Sequence, residues 1–216
     1  MKLKEALAGG AWSGNGKLEV LSQLMRLRQI CCDPALCFED YTGESAKLET
    51  CVSLIASASA AGHKILLFSQ FASMLERIRE RLLQEGISSH LLVGATPKEE
   101  RSRMVQAFAS DEVPVFLISL KAGGTGLNLT AADIVIHYDP WWNVAAQNQA
   151  TDRAYRIGQE KPVTVYKLIL KDTIEENLLK LQNAKLALAA QVVSEGMVSL
   201  GDLSQNELME LFEQNP

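Results

Sequence analysis

Residues 113–128 read VPVFLISLKAGGTGLN. Val113 to Ser119 is an uninterrupted apolar run, and runs of this kind suit parallel strands that helices cover on both faces. The segment then changes character at once. Gly123, Gly124 and Gly126 let backbone N–H groups approach an anion closely, and Lys121 adds positive charge. Ser119, Thr125 and Asn128 offer side-chain hydrogen bonds. A tight strand-to-helix turn has the same composition, so the loop alone leaves both readings open.

Outward from this stretch the chain alternates helix and strand. Lys64 to Phe68, His90 to Val93, Ile134 to Tyr138 and Val163 to Leu170 are the other expected strands. Helices are expected from Ser45 to Ala61, from Phe71 to just before Gly86, after Thr96, from Asn143 to about Arg156, and from Asp172 to about Ala190. Thr96-Pro97-Lys98-Glu99 reads as a capping box with proline at the first helical position. Leu18, Leu21, Leu24, Met25 and Ile30 have helical spacing ahead of Pro34, and Ser204 to Glu207 forms a last capping box. The fold expected is α/β: a doubly wound, mainly parallel sheet flanked by helices, with helical N- and C-terminal extensions.

Composition agrees with one globular unit. The chain has 216 residues, 47 % apolar and 22 % charged, which excludes disordered, collagen and coiled-coil classes. No apolar run approaches the ~20 residues of a membrane span, and the first 15 residues hold no apolar block of a secretory signal. A non-secreted, cytoplasmic protein with no membrane partner is expected. The net charge of −5 is confined to residues 171–216, which hold 3 basic and 8 acidic side chains. The rest is balanced, which leaves room for a local basic stripe. Cys31, Cys32, Cys37 and Cys51 contain no Cys-x-x-Cys pair, so reduced thiols are expected rather than a zinc site.

Two further segments carry chemistry. Tyr138-Asp139-Pro140-Trp141-Trp142-Asn143 follows a strand, and its adjacent tryptophans point in different directions. Both could be core anchors, or one could stay exposed beside the glycine loop and touch nucleic acid. The helix after Asn143 brings Gln147, Gln149, Asp152, Arg153, Arg156 and Gln159. Arg153 and Arg156, three apart, would share a helical face, with Gln149 on the same side. Two guanidiniums on one stripe suit a phosphoryl group in transfer; a solvated face, with Asp152 neutralising an arginine, has the same sequence. A P-loop is missing: residues 11–18 lack its first glycine and its hydroxyl. Asp111-Glu112 precedes a strand and so cannot be the acidic Mg²⁺ motif.

Three runs together resemble the C-terminal motor lobe of Swi/Snf-type ATPases, superfamily-two helicase-like DNA translocases: SLKAGGTGLNL from Ser119, DPWWN from Asp139, and QATDRAYRIGQ from Gln149 to Gln159. Leu27 to Cys31 with Asp33 to Leu36 resembles the entry to that lobe. Lys64 to Phe71 resembles its first strand motif, and Gly94, Thr96, Arg101 and Phe108 resemble the next. The resemblance covers about residues 20–185 and is most specific over 119–159. Cys32-Asp33 stands where relatives often have Asn-His, and Tyr155 where they often have His. Large insertions common in the lobe are absent, as in compact bacterial or archaeal forms.

The resemblance implies a RecA-like lobe at 45–171, a lead-in helical segment at 1–44 arriving from an N-terminal lobe, and C-terminal helices with an acidic tail at 172–216. Met1 is taken as a boundary within a longer protein. ATP and Mg²⁺ would be held mainly by the other lobe, which carries the P-loop. This lobe would supply Arg153 and Arg156 as arginine fingers, with Gly124, Gly126, Gln149 and Gln159 at the ATP cleft. Ser69, Gln70, Thr96, Lys121, Thr125 and Trp142 would contact double-stranded DNA, mainly at phosphates, while Trp141 packs. The whole would be a DNA-dependent ATP hydrolase and translocase that remodels a DNA-bound protein; this chain alone would be inactive. Two alternatives are a non-catalytic protein-interaction module using the acidic tail and the 172–190 helix, and a superfamily-two RNA helicase lobe. The latter usually continues Arg-Ile-Gly with arginine, where this chain has Gln159.

Overall fold

The computed structural model describes residues 15–122, 127–156 and 158–189. Gly123, Gly124, Thr125, Gly126, the acidic tail and the 204–207 capping box lie outside the described residues.

The chain divides into two compact units. The larger, 42–141 with 145–168, is built on five strands: β1 (Ile65–Ser69), β2 (Ser89–Leu92), β3 (Val115–Ser119), β4 (Ile134–His137) and β5 (Thr164–Lys167). They lie in the order β2-β3-β1-β4-β5, and every neighbouring pair is parallel. This is the doubly wound parallel sheet read from the apolar runs. β1, β3 and β4 are buried at every position, since each has a strand on both sides or helices on both faces.

The helices follow their sequence signals. With α1 assigned to Asn15–Cys32, the next is α2 (Ala46–Ala60), capped by the Ser45 hydroxyl, which accepts from Leu48 N–H. After it, Gly62 takes a left-handed φ of 81°. Met74, Leu75, Ile78 and Leu82 form the buried stripe of α3 (Ala72–Gln84). Phe108 anchors α4 (Lys98–Ser110) against Phe116 of β3, ring centroids 5.3 Å apart. Ahead of β1, the Lys64 ammonium donates to the carbonyls of Phe108 and Asp111.

Three expectations are corrected. The Thr96 capping box does not form: α4 starts at Lys98, and the Thr96 hydroxyl accepts from Val93 N–H instead. This turn is held by Arg101, which donates to the carbonyls of Thr96 and Gly94. β5 is an edge strand whose four residues are all exposed, not a strand covered on both faces. α5 (Val144–Thr151) ends well before Arg156.

In the smaller unit α1 packs on α6 (Ile174–Ala189). Between α1 and a 3₁₀ turn at Pro34–Leu36, buried Asp33 accepts from Ala35 N–H. α6 opens on Glu175, buried, whose carboxylate accepts from Leu170 N–H.

His137, at the end of β4, is buried and stacks on Phe68 at 5.7 Å. Its Nε2 lies 2.9 Å from the Thr151 hydroxyl, which itself donates to the Gln147 carbonyl. Nε2–H is therefore the donor, and Nδ1, buried without a partner among the described residues, carries no proton. Burial, then the Lys167 charge on β5, pushes the imidazole down from 6.5 to about 4. An unfolded imidazole takes up its proton near pH 6.5 while the folded one refuses it, so stability must fall as pH drops from 6.5 to 4. The expected loss from this group is about 3 kcal/mol. Urea unfolding at a series of pH values should show it, and His137→Phe, which keeps the stack, should flatten the slope in that window.

Candidate nucleotide and nucleic-acid site

Ligands of open α/β sheets bind beyond the carboxyl ends of the strands. Here the three central strands β3, β1 and β4 end side by side, with Ser69 in register with Ser119. Their exit loops are tied together at Ser69. Its hydroxyl donates to the Asp139 carboxylate at 2.5 Å and accepts from Phe71 N–H at 3.1 Å. Its carbonyl accepts from Leu120 N–H, which leads into the glycine loop. Asp139, 1 % exposed, also accepts from Gln70 N–H at 3.1 Å.

This arrangement sorts the residues expected at DNA. Ser69 is fully buried and its hydroxyl is spent within the protein, so it holds the loops rather than presenting a donor to phosphate. Gln70 begins the β1 exit loop, half-buried. Lys121 is exposed and makes no ion pair or hydrogen bond among the described residues. Thr96 sits in the β2–α4 turn, half-buried. Trp141 packs on the core of the larger unit, as expected, with its backbone N–H donating to Gln147 Oε1 at 3.2 Å. Trp142 belongs to the smaller unit, where the Arg28 guanidinium lies 5.3 Å from its ring centre. Its Nε1 is covered without a partner among the described residues. Gly124, Gly126 and Thr125 lie outside the described residues.

The arginines are not on a helical face. α5 stops at Thr151, and residues 152–156 continue as turns. There the N–H groups of residues 152–155 still bond three or four residues back, and a lateral bond is added: the Arg153 carbonyl accepts from Leu129 N–H at 3.1 Å. Arg153 is 2 % exposed, and its Nε has no partner among the described residues. Arg156 is exposed and likewise unpaired among them. Burial first, then the Arg156 charge, lowers the Arg153 pKa, against a smaller upward pull from Asp152. A buried guanidinium beside another cation, without a carboxylate ion pair among the described residues, is a costly arrangement that an anion relieves. Gln149, expected on the same side as Arg153, is exposed on α5 and makes no hydrogen bond to it among the described residues. Gln159 faces inward, onto the carbonyls of Thr130, Ala132 and Ala154.

Among the described residues no group of three or more His, Cys, Asp and Glu could hold a metal ion, and no helix is long and apolar enough to cross a membrane. The cysteines are free thiols, and burial raises Cys51 to about 12.

Residues 46–158 match the model of the helicase conserved C-terminal domain. The C-terminal domain of a Sulfolobus solfataricus SWI2/SNF2 ATPase superposes with a TM-score of 0.76 at 32 % identity, over 100 % of this chain and 91 % of that one. The chain belongs to the Swi/Snf type of helicase C-terminal lobe. The Sulfolobus ATPase core in complex with double-stranded DNA is also similar, with a TM-score of 0.78 at 33 % identity, over 100 % of this lobe and 46 % of that chain. Among curated proteins, a putative ATP-dependent helicase/translocase of Bacillus subtilis, YwqA, is 44 % identical over 205 residues, covering 91 % of the lobe and 22 % of its own length. A mouse SWI/SNF-related regulator of chromatin, subfamily A member 1, is 34 % identical over 212 residues, covering 91 % of the lobe and 20 % of its own length. The lobe thus spans about a fifth of the length of these curated relatives.

Asp139 and Gln147 were quoted in the sequence without a role, and both turn out to position loops at the site. A signal existed for Asp139: a carboxylate directly after a fully apolar strand must find donors or leave the core. Asp139→Asn replaces an acceptor with a group that faces Ser69 and Gln70 partly as a donor. It should destabilise the lobe by about 2–3 kcal/mol in chemical denaturation.

Proposed function

We propose that the lobe is the second half of an ATP-driven double-stranded DNA translocase, acting in the cytoplasm to remodel protein–DNA complexes. Arg153 and Arg156 are its fingers toward nucleotide held by an N-terminal lobe, together with Mg²⁺. The observation that carries this reading is the pair of neighbouring guanidiniums, one buried, neither with an ion-pair partner among the described residues. A non-catalytic docking module has no use for such a pair.

The chemistry follows from the charges. ATP supplies the transferable phosphoryl group, whose terminal oxygens carry the negative charge in transfer. Arg153 is held by its surroundings, so it meets that charge without reorganising; Arg156, exposed, completes the clamp. Loss of such a finger typically costs ~10³–10⁵ in rate, or about 4–7 kcal/mol. Gly124 and Gly126 bring the loop backbone to the cleft, with Gln149 on the exposed face of α5. Lys121, Gln70, Thr96, Thr125 and Trp142 grip the duplex, mainly by its phosphates. The exit loops of β1, β3 and β4 share one anchor, so they move as a unit when the cleft opens or closes. Support for duplex DNA also comes from the Sulfolobus SWI2/SNF2 core solved with it.

In the protein carrying both lobes, duplex DNA should stimulate ATP hydrolysis. Arg156→Ala should abolish that stimulation with a stability change within ~0.5 kcal/mol, because the side chain is exposed. Retained stimulation would refute the finger assignment. The 216-residue chain alone should hydrolyse no ATP. Duplex binding should weaken steeply with salt, and Lys121→Ala should reduce the slope of log K against log[salt] by ~1. Equal competition by RNA would instead favour an RNA helicase lobe.

A further inference from the structure

We infer that Gln159 is the positioning residue of the arginine turn: its carboxamide fastens residues 153–159 to the 129–132 segment and so sets where Arg153 and Arg156 point. The inference rests on the reading of those arginines as fingers and deepens it.

The need for such a residue comes from the early end of α5. A helix through Arg156 would have fixed both side chains by its own backbone ladder. Instead the regular ladder ends at Thr151, a mixture of three- and four-residue turns carries the chain to Tyr155, and the Arg156 N–H has no backbone partner among the described residues. Gly158, at φ 104°, then swings the chain back toward β5, a conformation that an L side chain resists. Between those points lie two like charges that repel each other. Left to itself, such a segment would spread the guanidiniums apart.

Two ties oppose this. The first is backbone to backbone, Leu129 N–H to the Arg153 carbonyl at 3.1 Å. The second is Gln159. Its Nε2 lies 2.7 Å from the Ala132 carbonyl, 3.0 Å from that of Thr130 and 3.3 Å from that of Ala154. Its Oε1 accepts from Lys161 N–H at 2.9 Å. Three acceptors on one side and a donor on the other admit a single orientation of the amide. Both of its protons are committed to carbonyls, so the side chain has none to offer a nucleotide. Ala132 and Thr130 belong to the segment that enters β4, and Ala154 follows Arg153 directly. The amide therefore bridges the segment that enters β4 to Ala154, directly after Arg153. Its own backbone N–H closes the loop, donating to the Arg156 carbonyl at 3.0 Å. Only an amide of this length supplies two donors and one acceptor in that order. Glutamate would aim lone pairs at three carbonyls, and arginine has no acceptor for Lys161 N–H.

The test is a double-mutant cycle in the full-length protein. DNA-stimulated kcat, KM for ATP and Kd for a duplex are measured for Gln159→Ala, Arg156→Ala and the pair. Gln159→Ala should lower kcat by roughly 10- to 100-fold, since ångström-scale misplacement costs that much, with KM and Kd changed less than about threefold. On the residual ATPase rate of Arg156→Ala the same change should cost less than about threefold, because residues acting as a unit are not additive. Amide exchange at Leu129 should speed up in Gln159→Ala, reporting the loosened turn. Gln159→Met keeps the volume without the donors, and it carries the same expectation should the alanine variant fail to fold. A wild-type kcat in Gln159→Met, or full multiplicative losses in the pair, overturns the inference while leaving the fingers standing. Retained activity in Arg156→Ala alone overturns the finger reading and this inference with it.

Discussion

Ser69 ends the central strand of a parallel sheet, and at that position the backbone ladder must stop while three loops leave in different directions. A parallel sheet buried on both faces concentrates its polar backbone groups at its ends. The hydroxyl of Ser69 and the carboxylate of Asp139 satisfy those groups across β1 and β4, and the Ser69 carbonyl does so across β1 and β3. Leu120 after β3, Gln70 after β1 and Asp139 after β4 are held to one another by this node. Removing the carboxylate would leave buried donors without an acceptor, which costs more than the bond itself contributes.

The arginine turn obeys a different constraint. Its charges are placed without an ion pair among the described residues, and the fold offsets that expense with lateral hydrogen bonds to the segment entering β4. The two arrangements are complementary. One knits the ends of the strands, and the other pins the return from α5 to β5. His137 stands near both, stacked under Phe68 and bonded to Thr151, the last residue of α5. Kept neutral by burial, it lets the end of β4 and the end of α5 pack without a buried positive charge between them.

Much of this was legible beforehand. Apolar runs such as 115–118 and 134–136 cannot be anything but buried, and helix signals alternate with such runs along the chain, so a parallel sheet follows. The helix stripes of α2 and α3, with Ser45 at one start and Gly62 at one end, were equally plain. The motif runs identified the Swi/Snf lobe because residue types at fixed spacing survive without coordinates. Less legible were the places where a polar side chain chooses among several partners. Thr96 could cap α4 or accept from Val93, and local sequence does not rank the two. Ser69 looked like a phosphate donor until Asp139, 70 positions away, claimed its proton. The helix expected to reach Arg156 ends at Thr151, and the carbonyls of Arg153 and Ala154 beyond it find their partners in Leu129 N–H and the Gln159 carboxamide.

The sequence by itself determined the layered α/β class, the family and the identity of the charged groups, since hydrophobic periodicity and motif spacing are local properties of the chain. Only the tertiary structure decided which of those groups are spent inside and which stay free: Ser69 and Gln159 turned inward, Lys121 and Arg156 outward, Arg153 buried beside another cation. The reason is that hydrogen-bond capacity is finite, and the partner that exhausts it is set by contacts between residues far apart in sequence.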